Sequence, residues 1–135
     1  MESTQRRALV VDDDPEVRAV VTGFLEMAGW SVIEATNGQE GCLLIAQEYP
    51  DLVILDVMMP IKDGLAAFKE MREDPSTSRI PVILLTAVNQ FELGAHYDLE
   101  SVGRQLGVPY LEGFLEKPVD SRALLKAVDD ALSAH

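Results

Sequence analysis

Asp51-Leu52-Val53-Ile54-Leu55-Asp56, running on into Val57-Met58-Met59-Pro60, is the stretch on which the fold turns. Four consecutive apolar residues between two carboxylates read as a strand buried on both faces, the kind found in the middle of a parallel sheet. Asp56 closes that strand. In open α/β sheets ligands bind just beyond the carboxyl ends of the strands. A carboxylate delivered there by a buried strand is therefore a candidate site residue before any motif is considered.

Upstream, Ala8-Leu9-Val10-Val11 is a short strand that ends on Asp12, Asp13 and Asp14, followed by Pro15. Asp14 has an ordinary use as the N-cap of a helix with proline at its first position. Asp12 and Asp13 remain as adjacent carboxylates at a strand exit, and they require a counter-charge if partly buried. The helix runs from about Pro15 to Ala28, with Val17, Val21, Phe24, Leu25 and Ala28 on one face and Gly29 as its C-cap. Ser31 to Ala35 is a second strand. Thr36-Asn37-Gly38 turns into a helix of about Gln39 to Glu48, which Tyr49-Pro50 stops.

Downstream of Asp56, the loop Val57 to Asp63 closes on Gly64, which opens a third helix of about Leu65 to Arg72. Ile80-Pro81-Val82-Ile83-Leu84-Leu85 is a fourth strand exiting onto Thr86, with its proline near the start, where a missing ladder donor is tolerated. The pattern weakens from Ala87 to Glu112. Gly113-Phe114-Leu115-Glu116 is a short fifth strand exiting onto Lys117-Pro118, and Asp120 or Ser121 caps a last helix striped with Leu124, Leu125, Val128 and Leu132.

Strand and helix thus alternate in five βα units, which implies a parallel sheet with helices on both faces and right-handed crossovers. All strand exits then lie at one edge, so Asp12, Asp13, Asp56, Thr86 and Lys117 converge. Taken singly, each reads as an ordinary strand-end or surface residue; together they read as a site.

At 135 residues the expectation is a single domain spanning 1–135 without an output domain. The net charge of −12 argues against nucleic-acid binding, which needs a basic face, and favours cationic partners including metal ions. The lone cysteine, Cys42, excludes an intramolecular disulfide and suits a reducing compartment. Without a signal-peptide core or a segment of transmembrane length, a cytoplasmic protein with no membrane partner is expected.

Three carboxylates make an oxygen-rich site that suits Mg²⁺ better than zinc. A lysine ammonium and a threonine hydroxyl beside them are the groups expected around a phosphoryl oxygen, which points to phosphoryl chemistry on Asp56.

With Val10-Val11-Asp12-Asp13-Asp14-Pro15, the Asp51-to-Pro60 stretch with Asp63-Gly64, Leu85-Thr86-Ala87 and Phe114-Leu115-Glu116-Lys117-Pro118 in order, the chain resembles a response-regulator receiver domain from Ala8 to Leu132. The resemblance implies a flavodoxin-like doubly wound fold with strand order 2-1-3-4-5. It implies that Asp56 accepts a phosphoryl group from a histidine kinase or phosphotransfer protein. It also implies that Asp13, Asp56 and the backbone carbonyl of Met58 bind Mg²⁺, with Asp12 acting mainly through water, and that Lys117 and Thr86 meet the phosphoryl oxygens. Thr86 and Phe114 would form the switch, and the Lys117–Pro118 bond would be cis. Output would pass through the face of residues 87–117, either to an unknown protein, onward in a phosphorelay, or to a second copy as a homodimer. The alternative function is a Mg²⁺-dependent phosphatase working through an aspartyl-phosphate. That class usually carries a second acid two residues after the nucleophile, where this chain has Met58.

Two departures from the family stand out. Thr86 and Lys117 are unusually far apart, and within the extra segment Asp98 caps a short predicted helix carrying Leu99, Val102 and Leu106, stopped by Gly107. Met58 and Val88 are apolar where some relatives carry polar residues able to align an attacking water. Slower self-dephosphorylation is predicted than in a receiver with polar residues at both places. A Met58→Asn, Val88→Glu variant should lose its phosphoryl group faster than wild type in a timed intact-mass assay, and equal rates would count against this reading.

Overall fold

The computed structural model describes residues 5–57, 64–86 and 112–133. Five strands form one parallel sheet: β1 (Arg7–Val11), β2 (Ser31–Ala35), β3 (Leu52–Asp56), β4 (Val82–Thr86) and β5 (Gly113–Glu116). Their order is β2-β1-β3-β4-β5, as the resemblance implies. Four helices are described: α1 (Pro15–Met27), α2 (Gly38–Glu48), α3 (Gly64–Glu73) and α4 (Ser121–Ser133). The short helix expected near Asp98 lies outside the described residues, as do Met58 and Val88.

Every residue of β3 and β4 is buried, which explains why both read as unbroken apolar runs. Alternate residues feed two cores. Leu9, Val53, Leu55 and Leu84 face α2 and α3 and meet Ile45, Phe68 and Met71. Val10, Ile54, Ile83 and Leu85 face α1 and α4 and meet Val21, Leu25, Leu124 and Val128. No helix among the described residues is long and apolar enough to cross a membrane.

Local chemistry sets the element ends. Asp14 accepts a hydrogen bond from the Glu16 amide at 2.9 Å and caps α1, with Pro15 at its start. Ala28 is the C-cap, and Gly29 follows in the left-handed region (φ 95°), where glycine carries no steric penalty. Asn37 caps α2 by accepting from the Glu40 amide, while the Glu40 carboxylate accepts from the Thr36 amide. Tyr49 then turns left-handed and ends that helix before Pro50.

The fourth strand begins two residues later than its apolar run suggests. Pro81 has no N–H to give, and the Ile80 carbonyl accepts from Arg72 Nη1 at 2.8 Å instead of joining the ladder. The Val82 amide, the first of the strand, donates to Glu112 Oε1 at 2.6 Å. Glu112 is also ion-paired to Arg72. Arg72 stacks over Phe68 with its guanidinium carbon 4.7 Å from the ring centroid and donates a further bond to the Ser78 carbonyl at 2.9 Å. A fully buried carboxylate thus ties the end of α3 to the starts of β4 and β5.

Removing one member of a buried ion pair leaves the other charge uncompensated, at a cost of about 3–5 kcal/mol. Glu112→Ala should lose stability on that order in urea unfolding. Glu112→Gln, which keeps an acceptor for Val82, should lose less.

Candidate functional site

The strand exits carry the acidic residues to one edge of the sheet, as the βα alternation requires. Asp56 is the last residue of β3 and is 3% exposed; Asp12, just past β1, is wholly buried. Asp13 beside it is exposed. One carboxylate oxygen from each of Asp12, Asp13 and Asp56 lies within 4.8 Å of the others.

Lys117 arrives from the next strand but one. Its amide donates to the Thr86 carbonyl at 2.7 Å, so pairing between β4 and β5 continues one residue past the strands and brings the lysine level with the acids. Its ammonium lies 2.9 Å from Asp12 Oδ2 and 3.3 Å from Asp56 Oδ1. The Lys117–Pro118 peptide is cis.

Partial burial pulls the Lys117 pKa down, but the hydrogen bonds and charges of Asp12 and Asp56 outweigh it, and the ammonium ends above its ordinary range. One cation therefore offsets two buried carboxylates. Asp12 Oδ1 accepts from the Asp14 amide at 2.9 Å, and the buried Oδ2 faces the Lys117 ammonium.

Thr86 closes β4 and is buried, opposite Glu116 of β5. Phe114 stands opposite Leu84, two residues earlier, so Thr86 and Phe114 are diagonal neighbours on one face of the sheet. Phe114 is half-buried and packs against the core beneath α2 and α3. The structure thus gathers Asp12, Asp13, Asp56 and Lys117 directly, with Thr86 and Phe114 adjoining through strand pairing. Met58, whose carbonyl the sequence reading assigns to the metal, lies outside the described residues.

Three features of the site escaped the sequence reading. Gly64 does more than open a helix, because a Cβ there would overlap the Asp56 carbonyl oxygen and come within 2.9 Å of Val57 Cα. Only a glycine lets α3 start this close to the strand that carries Asp56, and the Gly64 amide donates to the Val57 carbonyl at 2.9 Å across the gap. The other two are Arg18, which donates to the Asp12 carbonyl at 2.8 Å, and its partner Glu34.

The donor set fits a hard divalent cation. It is entirely oxygen, it is more negative than one lysine offsets, and it includes a buried carboxylate oxygen with acceptor capacity left over. A concavity of about 640 Å³ between α2 and α3, bordered by Asn37, Glu40 and Glu70, does not include these residues.

The model of the family described as Response regulator receiver domain matches residues 8–129. Protein PilH of Pseudomonas aeruginosa is 37% identical over 128 residues, covering 94% of this chain and 98% of PilH. The DNA-binding dual master transcriptional regulator RpaA of Synechocystis is 43% identical over 86 residues, covering 64% of this chain but 36% of RpaA. Among solved structures, the signal receiver domain of a signal transduction histidine kinase from Syntrophus aciditrophicus is similar with a TM-score of 0.78 at 31% identity, covering 96% of this chain and 91% of that one. The chemotaxis response regulator CheY4 of Vibrio cholerae is similar with a TM-score of 0.76 at 29% identity, covering 96% of this chain and 100% of that one.

The raised pKa of Lys117 has a defined sign in stability. The ammonium's contribution is fully present below its unfolded value of 10.5 and is lost as pH rises through the higher folded value. In metal-free protein, the stability difference between wild type and Lys117→Met should stay constant from neutral pH up to about 10 and shrink only above that. Chemical unfolding across this range checks it, and a difference that fades between pH 7 and 9 would contradict it.

Proposed function

This chain belongs to the response regulator receiver family, and we propose that within it Asp56 is the residue that accepts a phosphoryl group. The observation that carries the reading is the Lys117 ammonium set between Asp12 and Asp56 at 2.9 and 3.3 Å, with Asp13 completing an acidic cluster at the strand exits. The donor is the phosphohistidine of a histidine kinase or phosphotransfer protein. An Asp56 carboxylate oxygen forms the new P–O bond as the P–N bond breaks, and the leaving imidazole nitrogen keeps the bonding pair and takes a proton from solvent.

Asp13, Asp56 and the Met58 carbonyl would hold Mg²⁺, with Asp12 acting mainly through water. The ion supplies neutralisation of charge on the transferring phosphoryl oxygens. The protein's own groups do the rest. Asp12 and Asp56 hold Lys117 charged and aimed at the phosphoryl position. Gly64 keeps α3 close behind Asp56 and so fixes the backbone of the acceptor.

Phosphorylation replaces one negative charge with a group of roughly −2 and three strong acceptor oxygens. Lys117 then turns from its carboxylate partners to the phosphoryl group, and the Thr86 hydroxyl moves to meet a second oxygen. Space vacated near Thr86 is taken up by Phe114, its diagonal neighbour on β5. A local charge event thereby becomes a change of surface on the 87–117 face, read by a protein partner or a second copy.

Incubation with acetyl phosphate and MgCl₂ followed by intact mass tests the assignment. Wild type should gain one phosphoryl group and Asp56→Asn none. Equal labelling of both would remove Asp56 as the acceptor, and catalytic turnover of the donor without stable labelling would favour the phosphatase alternative.

A further inference from the structure

Asp12 sits in a run of three acids whose mutual repulsion favours splaying their side chains apart, yet Asp12 and Asp13 present their carboxylates to one small volume. Besides the Lys117 ammonium at its Oδ2, three hydrogen bonds from described residues restrain Asp12. Its amide donates to the Ala35 carbonyl at 3.1 Å, its Oδ1 accepts from the Asp14 amide at 2.9 Å, and its carbonyl accepts from Arg18 Nη1 at 2.8 Å. Of these three, only the bond from Arg18 acts on the peptide unit that Asp12 shares with Asp13. Rotation of that unit changes ψ of Asp12 and φ of Asp13 together, and so redirects the exposed Asp13 side chain.

Arg18 is itself held. It stands in the first turns of α1, its side chain is 17% exposed, and its Nε lies 3.1 Å from Glu34 Oε1 at the far end of β2. The guanidinium uses two different nitrogens in a fixed plane, one on the carbonyl and one on the carboxylate, which a single ammonium cannot reproduce. Glu34 also neutralises the charge that Arg18 brings near the acids.

We propose that Arg18, held by Glu34, is the positioning residue that fixes the Asp12–Asp13 peptide and thereby aims both carboxylates at a shared divalent cation. The proposal rests on the reading that these carboxylates hold Mg²⁺, and its consequence has a sign that electrostatics alone reverses. A positive charge beside a cation site weakens cation binding, so if Arg18 acted only through its charge, its removal would tighten Mg²⁺ binding. If it acts through geometry, removal weakens binding, and a lysine in its place weakens it too.

MgCl₂ titrations of wild type, Arg18→Lys and Arg18→Gln, followed by calorimetry and by the backbone amide shift of Asp13, separate these outcomes. Both variants should bind Mg²⁺ about tenfold more weakly, the scale of losing a residue that orients metal ligands. In metal-free protein both should shift the Asp13 amide signal, because the Asp12–Asp13 peptide loses its restraint. Should Arg18→Gln fail to fold, Arg18→Lys keeps the charge and the aliphatic stem and decides the matter alone. Tighter binding by Arg18→Gln with Arg18→Lys unchanged, or wild-type affinity in both variants, would overturn the positioning role while leaving the metal site in place. Wild type that binds no Mg²⁺ would overturn both.

Discussion

Repulsion between two buried carboxylates at the exits of adjacent strands is the constraint around which the molecule is arranged. Asp12 and Asp56 are brought together because β1 and β3 are neighbours in a parallel sheet, and a pair of unopposed charges there would destabilise the fold. Lys117 offsets part of that charge and can do so only because β5 lies beside β4 and its pairing runs one residue beyond the strands. On the proposed function, the residual negative charge would draw a divalent cation to the edge and the lysine would draw a phosphoryl group. On that proposal, stability and chemistry would rest on the same three side chains.

Two rigid arrangements support that edge. Behind Asp56, the missing side chain of Gly64 lets α3 begin against the strand's own backbone. At the opposite end of the sheet, the buried Arg72–Glu112 pair locks α3 to β4 and to the entry of β5. The strand carrying Phe114 and leading to Lys117 therefore has a fixed start and a charged end. A domain anchored at one pole can pass a change of charge at the other into movement along β5 without loosening its core.

Much of this was legible in the sequence because the chemistry is repetitive. Buried parallel strands must be apolar throughout, and Leu52–Leu55 and Val82–Leu85 are; helix starts need an acceptor, and Asp14 and Asn37 supply it. The acids and the lysine stood out because each directly ends a strand. What was not legible depended on distant partners. Glu112 looks like a loop residue until its burial against Arg72, forty positions away, is seen. Arg18 resembles any solvated helix arginine, and only the fold brings it to the Asp12 carbonyl and to Glu34. The two-residue delay in β4 was foreshadowed by Pro81, but the decisive competitor for the Ile80 carbonyl, Arg72, belongs to another element.

In the proposed switch, charge added at Asp56 is transmitted through Thr86 to Phe114. The most direct measurement is a two-dimensional NMR comparison of the protein with and without Mg²⁺ and beryllium trifluoride, a mimic of the phosphoryl group. Signals of Thr86, Phe114 and Lys117 should shift, together with those of residues 87–112, while that of Trp30, buried at the opposite pole, stays in place. Binding of the mimic at Asp56 with no change at Phe114 or in residues 87–112 would contradict the switch.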